Sequence, residues 1–351
     1  MREEVIQKLL EGIRKYGLEN VSTLSKWIGI PVETARYMIW EELPKHSIDV
    51  GVSINLPRLG LGRWLLEIKP ARKSYTSSIE DSIKDGAGLI YLARTLPDNT
   101  TYAQMGIPFG EEHKLKEELD SLSESGVIES YSMHEIEWMR HLSFNPKFYN
   151  FKDGKWEFDW RDLEQNRESL LTPYAGEGQA PMIDYKDILI LKELRIEVPR
   201  TLSKLSETLG LDQHNLRYHY KNHARNAIQG YYLKLIPRGS QNQGAAFKFV
   251  YQPKSESSLL EARKVALSLP FTTKVWKTEK EYAWHVSCPG EYVNGVLSYV
   301  NTKFEDIPGK LNLIFIDSKS ENYGPLPFEL FDERTGTWKY EPKLGIETLK
   351  E

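Results

Sequence analysis

Between Asp212 and Asn226 the chain sets Gln213, His214, Asn215, Arg217, Tyr218, His219 and Lys221 in one short stretch. Amide, imidazole and guanidinium groups at helical spacing are the donors and acceptors that read base edges, while neighbouring cations hold backbone phosphates. Arg217 suits a bidentate grip on guanine, and Gln213 or Asn215 suits adenine. Lys204 and Arg225 flank them as phosphate contacts. Arg217, Lys221 and Arg225 against Asp212 give the stretch a charge of +2. A related stretch over 31–43 sets Arg36 against Glu33, Glu41 and Glu42, or −2. Phosphate attraction supplies most non-specific affinity, so the later stretch is the stronger candidate DNA reader. Lys26, Thr34, Arg36 and Tyr37 are the candidates in the earlier one.

Other chemistry is thinly represented. His219 and His223 stand i, i+4, a spacing that suits a metal, yet no third-ligand pattern accompanies them, and no metal is expected. Gly60-Leu61-Gly62 lacks the third glycine of a dinucleotide loop, and no GxSxG or Walker phrase occurs. Cys288, the one cysteine, has no paired base motif and suits inert burial. The residues therefore point to a binding protein, not an enzyme, with no cofactor. The net charge of −4, from 46 basic and 50 acidic residues, confines any nucleic-acid contact to a local patch. No apolar run approaches the roughly 20 residues of a membrane helix, and Met1-Arg2-Glu3-Glu4 opens no signal peptide. A cytoplasmic, nucleoid-associated protein with no membrane partner is expected.

The elements that must carry these residues are written twice. Residues 21–40 and 202–221 align at an offset of 181, with identities at Ser22/Ser203, Leu24/Leu205, Ser25/Ser206, Gly29/Gly210, Arg36/Arg217 and Tyr37/Tyr218. A second echo sets Phe148, Phe151, Gly154, Trp156 and Phe158 against Phe328, Phe331, Gly336, Trp338 and Tyr340. Each copy opens with an apolar helical stripe, Leu9, Leu10 and Ile13 or Ile190, Leu191 and Leu194. Ser22 and Thr201 or Ser203 suit the cap of a short second helix that Gly29 or Gly210 ends. A third helix follows from Pro31 to about Glu42, or from Asp212 to Asn226. Aliphatic strands over 48–54 and 231–236 would supply a wing to each helix-turn-helix.

The rest of each copy reads βαββαβ, a ferredoxin-like order: strands at 64–68, 89–93, 102–107 and 127–131 with helices at 78–84 and 115–122, answered by strands at 247–251, 272–277, 282–287 and 311–316 with helices at 259–269 and 293–300. Asp153-Gly154 predicts a type I′ hairpin in an aromatic tail. The fold class is α+β: two copies of a winged helix-turn-helix followed by a βαββαβ ferredoxin-like domain with an aromatic C-terminal hairpin. The domains are 1–56, 57–160, a linker at 161–182, 183–240 and 241–351.

With the phrase from Ile183 to Gly210, these features resemble the leucine-responsive/asparagine-operon regulator (Lrp/AsnC) family, here as a tandem fusion. The resemblance implies a transcription regulator with double-stranded DNA as partner, self-association through the ferredoxin-like domains and a small-molecule effector, although no glycine-rich amino-acid-binding loop is recognisable. Siroheme decarboxylases share that architecture and supply the enzyme alternative. Val275-Trp276-Lys277 and Tyr282-Ala283-Trp284-His285 occupy the comparable hairpin, without the histidine- and arginine-rich phrase expected between them. A protein-binding scaffold of the transcription machinery is the third reading.

Overall fold

The computed structural model describes residues 3–18, 20–85, 88–163, 183–198, 201–235 and 244–344. The expected linker lies outside the described residues from 164 onward.

The first half opens with α1 (Glu3–Tyr16), α2 (Val21–Ile28) and α3 (Val32–Tyr37). A π-helical stretch over Met38–Glu42 follows, then the single turn α4 (Leu43–Lys45) and strand β1 (Ile48–Ile54). The third helix is therefore not uniform, as a Pro31-to-Glu42 helix would have been. Nor does Ser22 cap α2: the Asn20 side chain accepts from the Thr23 amide, while Gly29 closes the helix at φ 83°, a left-handed angle free of strain only without a Cβ. Then come β2 (Leu61–Pro70), α5 (Thr76–Asp85), β3 (Leu89–Leu96), β4 (Thr101–Pro108), α6 (Glu112–Glu124) and β5 (Ile128–His141), and the tail strands β6 (Tyr149–Asn150) and β7 (Lys155–Trp156).

The order recurs in the second half. Its elements are α7 (Tyr185–Ile196), α8 (Leu202–Leu209), α9 (Gln213–Asn222), β8 (Ile228–Leu235), β9 (Gly244–Pro253), α10 (Glu256–Ser268), β10 (Thr272–Thr278), β11 (Tyr282–Pro289), α11 (Val293–Phe304), β12 (Gly309–Asn322), β13 (Phe331–Asp332) and β14 (Thr337–Trp338). Thr201 caps α8 and Asp212 caps α9, as their positions suggest. The tail turn departs from type I′. Tyr149 pairs with Trp156 and Asn150 with Lys155 across a longer loop, in which Gly154 has positive φ while Asp153 does not. The Asn150 side chain builds the turn instead, accepting from the amides of Lys152 and Asp153.

Two pairings join the halves. β1 and β8 do not form separate wings; they pair with each other, antiparallel, Val52 opposite Tyr231. The larger sheets close into one barrel of order β10-β11-β9-β12-β3-β4-β2-β5. Closure follows from the length of β5 and β12, 14 residues each. The start of β5 pairs with β2 in its own half, and its end, from Ile136, pairs with β10 in the other. β12 does the same with β9 and β3. The two larger sheets are thus joined within one chain, and the closed barrel has no free edge strand of its own.

The tails are exchanged. Phe148 joins the core under α10 and α11, with Phe158 and Trp160 against it, and Tyr292 Oη donates to the Trp156 carbonyl at 3.0 Å. In return Leu330, Tyr340 and Leu344 complete the core under α5 and α6, and Trp338 Nε1 donates to the Leu59 carbonyl at 2.6 Å. No described helix is long and apolar enough to cross a membrane.

Candidate functional site

Alternation along a strand sends every second side chain into a barrel. Leu65, Tyr91, Tyr102, Ile136, Val250, Trp276, Ala283 and Ile316, with their neighbours, form one buried cluster fed by all eight strands. The same phase places Lys248 two residues before Val250, Lys274 two before Trp276 and His285 two after Ala283. Small Ala93, Ala246 and Ala283 in that layer leave volume for these longer groups.

The two inward lysines differ in company. Lys248, 1% exposed, has Glu67 Oε1 at 2.6 Å and the Tyr102 ring at 3.5 Å. Lys274, 6% exposed, lies over the rings of Tyr91 at 3.9 Å and Tyr323 at 5.1 Å, with no ion pair among the described residues. The carboxylate acting on it is Glu321, whose Oε1 already accepts from Tyr91 Oη at 2.7 Å and Tyr323 Oη at 3.3 Å. Like charges surround it: burial, then Arg63, Arg195 and Lys234, push the Lys274 ammonium down to about 8, and Glu321 only partly opposes them. Arg63 reaches Gln104 Oε1 at a long 3.4 Å, and Arg195 Nη2 donates to the Ile90 carbonyl at 3.0 Å. Burial and repulsion by Arg195 lower the Arg63 guanidinium, which stays charged.

His141, at the end of β5, sits among these cations. Its ring stacks on Tyr232 at 4.5 Å and 10°. Ser53 Oγ donates to Gln229 Oε1 at 2.9 Å, so His141 Nδ1, 3.2 Å from that hydroxyl, is the donor of the next bond. Burial, then Lys274, Arg63, Arg195 and Lys234, hold the imidazole well below its ordinary value. It is neutral near pH 7, with Nε2 unprotonated. His285 donates or accepts through Nδ1 to Thr273 at 2.8 Å, while its buried Nε2 has no hydrogen-bond partner and lies 3.8 Å from Glu321.

His141 also lines an open cleft of about 340 Å³ between α1, the β1–β8 ribbon and the end of β5, a volume within the small-molecule range. Arg14, Lys15 and Arg140 line it against one acid, Glu11, with Ser53 and Tyr232 on the ribbon side. His141, with Tyr232 stacked on it, joins this cationic cleft to the cations of the barrel end, an arrangement suited to carboxylates.

The residues singled out for DNA lie elsewhere. Lys204, Gln213, His214, Arg217, Tyr218, Lys221 and Arg225 are exposed and Asn215 half-buried. Lys204 is paired with Glu207 at 2.9 Å. In the first half Lys26 is exposed and Thr34 half-buried, Arg36 is neutralised by Glu33 at 2.7 Å, and Tyr37 Oη donates to Glu42 at 2.9 Å. None of them reaches the cationic site. Lys248, Lys274, His141, Arg195 and Glu321 escaped the sequence reading; the available signal was a lone cation at the inward phase of an apolar strand, as in Phe247-Lys248-Phe249. Cys288 is buried as expected, its thiol pushed up to about 12 by burial.

No family model and no curated protein sequence matches the chain. Solved structures do. The siroheme decarboxylase NirDL superposes with a TM-score of 0.57 at 12% identity, over 93% of this chain and 96% of that one. The same enzyme in co-complex with an iron-uroporphyrin III analogue gives 0.55 at 11% identity, over 89% and 91%. The shared property is the α+β fold over nearly the whole length of both chains. At these identities the likeness shows the fold alone, and nothing in it supports DNA binding.

Proposed function

We propose that this chain binds a polycarboxylated tetrapyrrole in the cleft and barrel mouth and removes carboxyl groups from it, as a decarboxylase. In this reading the chain is a fusion of two winged-helix and ferredoxin-like modules whose wing strands have been pooled into one ribbon. The observation that carries it is the buried ammonium of Lys274, without an ion pair among the described residues, crowded by Arg63, Arg195 and Lys234 around neutral His141, with Glu321 the acid that opposes them and Asp49 paired to Lys234. Cations buried without partners cost several kcal/mol each, at least about 3 when a pair is broken, and a polyanion would offset that cost.

Each group has a role in keeping with its chemistry. The guanidiniums of Arg63, Arg140 and Arg14 suit bidentate contacts with carboxylate arms. The stacked His141–Tyr232 pair offers a flat face to a macrocycle. Loss of CO2 from a carboxylate leaves a carbanion that must take up one proton, R–COO⁻ + H⁺ → R–H + CO2. Lys274, brought to about 8, is an ammonium whose proton is available near neutral pH, with solvent at the open cleft to restore it.

The test is a titration of the purified protein with iron-uroporphyrin III, followed by its visible absorption. One equivalent should bind, and Arg63→Gln should weaken binding at least about tenfold, or about 1.4 kcal/mol. Incubation with siroheme should then give products lighter by whole CO2 units. An unperturbed spectrum at saturating porphyrin would end the proposal.

A further inference from the structure

Away from that cleft, α7 and α9 meet at a polar cluster. Asp187, at the third position of α7, is fully buried. His219 Nδ1 lies 3.0 Å from its Oδ1 and His223 Nδ1 3.1 Å from its Oδ2. The three ligand atoms lie within 4.8 Å of one another. Asp184 Oδ1, on the exposed N-cap, is 3.5 Å from His219 Nδ1. The edge of Tyr218 walls the cluster, 5.6 Å from the His219 ring and 5.4 Å from that of His223.

The fold does not require this polarity. At the repeat offset of 181, Asp187, His219 and His223 correspond to Ile6, Met38 and Glu42. Ile6 and Met38 are buried in the apolar core of the first helical module, so the same helix contact is made there with hydrocarbon. Replacing that contact by a buried carboxylate is unfavourable unless something holds it. A capping role needs only the bond that Asp187 accepts from the Asp184 amide at 2.8 Å. It does not call for two imidazoles presenting the same nitrogen to one carboxylate.

We propose that Asp187, His219 and His223 form a binding site for a divalent cation of the zinc class, with Asp184 or water as fourth ligand, clipping α7 to α9. Two imidazoles and a carboxylate are a zinc donor set; bonds of about 2.0 Å in a tetrahedron set ligand atoms about 3.3 Å apart, so the three ligand atoms, within 4.8 Å of one another, need only draw together on binding. Each imidazole would offer the Nδ1 lone pair to the metal, leaving Nε2 to carry the ring proton. Exposed Asp184 and half-buried His223 leave an entry path.

Tag-free protein stripped with chelator is titrated calorimetrically with Zn²⁺, and separately with Co²⁺ under visible spectroscopy. One equivalent of Zn²⁺ should bind with a Kd of about 10 μM or tighter, Co²⁺ should develop the intense bands of a tetrahedral site, and Zn²⁺ should raise the Tm. His223→Ala, at the half-buried helix end, should keep the metal-free Tm and lose about 100-fold in affinity; His219→Gln should do the same if it folds. Absence of binding, or equal affinity in His223→Ala, overturns the site. Tetrapyrrole binding is read in a separate titration, so either proposal can fail alone.

Discussion

Lys248 and Lys274 come from neighbouring parts of one barrel and are almost equally hidden, at 1% and 6% exposure. One is matched by Glu67 and the Tyr102 face; the other faces aromatic rings and three cations. Burial lowers both ammonium groups; Glu67 pulls Lys248 back through a direct ion pair, while at Lys274 the pull of Glu321 is opposed by Arg63, Arg195 and Lys234. The fold pairs the first lysine directly and leaves the second without an ion pair among the described residues, its acid Glu321 outnumbered by cations. The difference separates a structural ion pair from a receptor for anions, although both residues look alike in sequence and in depth.

Removing the partner of the balanced lysine should have the largest effect on the fold. Glu67→Gln strands Lys248 and should cost about 2–3 kcal/mol in denaturant unfolding, less than the loss of a fully buried pair because Glu67 keeps 36% of its side chain in water. Lys274→Met should do the opposite, raising stability by about 1–2 kcal/mol, since it replaces a buried charge that has no ion pair by a group of similar volume. It should also weaken iron-uroporphyrin III binding at least about tenfold. If the two variants moved stability in the same direction, the contrast would be void.

Acid–base linkage sharpens it further. Lys274 has a value of about 8 in the folded chain, below its ordinary 10.5. Between these values the unfolded chain binds the extra proton, so this residue's contribution to stability rises with pH from about 8 and levels off near 10.5. Polyanion affinity runs the other way, falling as pH rises through about 8 because the site loses a cation. Porphyrin titrations at pH 7 and 9 should show the fall in the natural chain and not in Lys274→Met.

How much of this was legible depends on what periodicity carries. The apolar alternation of Phe247–Tyr251 and Leu89–Ala93 marked strands, and the helical stripes Leu9-Leu10-Ile13 and Ile190-Leu191-Leu194 marked the buried faces of α1 and α7. Periodicity says nothing of which strand pairs with which. Hence β1 and β8 read as two wings when they form one ribbon, and β5 read as ending at Tyr131 when it continues to His141. That missed extension, polar through Ser132, His134 and Glu135, is the segment that closes the barrel and delivers His141 to the cleft. The cationic site was hidden for the same reason: its members come from β2, β5, α7, β8 and β10, and no window of sequence brings them together. His219 and His223 were visible as a pair, but Asp187 lies 32 residues from the nearer of them and joins only through helix packing.

The smallest effect expected is at the helix that sequence charge favoured most. Arg217 and Lys221 are exposed on α9 and do not line the cleft. Changing both to Ala should alter stability by less than about 0.5 kcal/mol, as for surface residues in general, and leave porphyrin affinity unchanged. The comparison between a balanced and an unbalanced lysine predicts this null result, because solvated cations are already compensated by water and leave no buried charge for a ligand to match. A tenfold loss of porphyrin binding in the double variant would shift the anion receptor from the barrel mouth to the helix face.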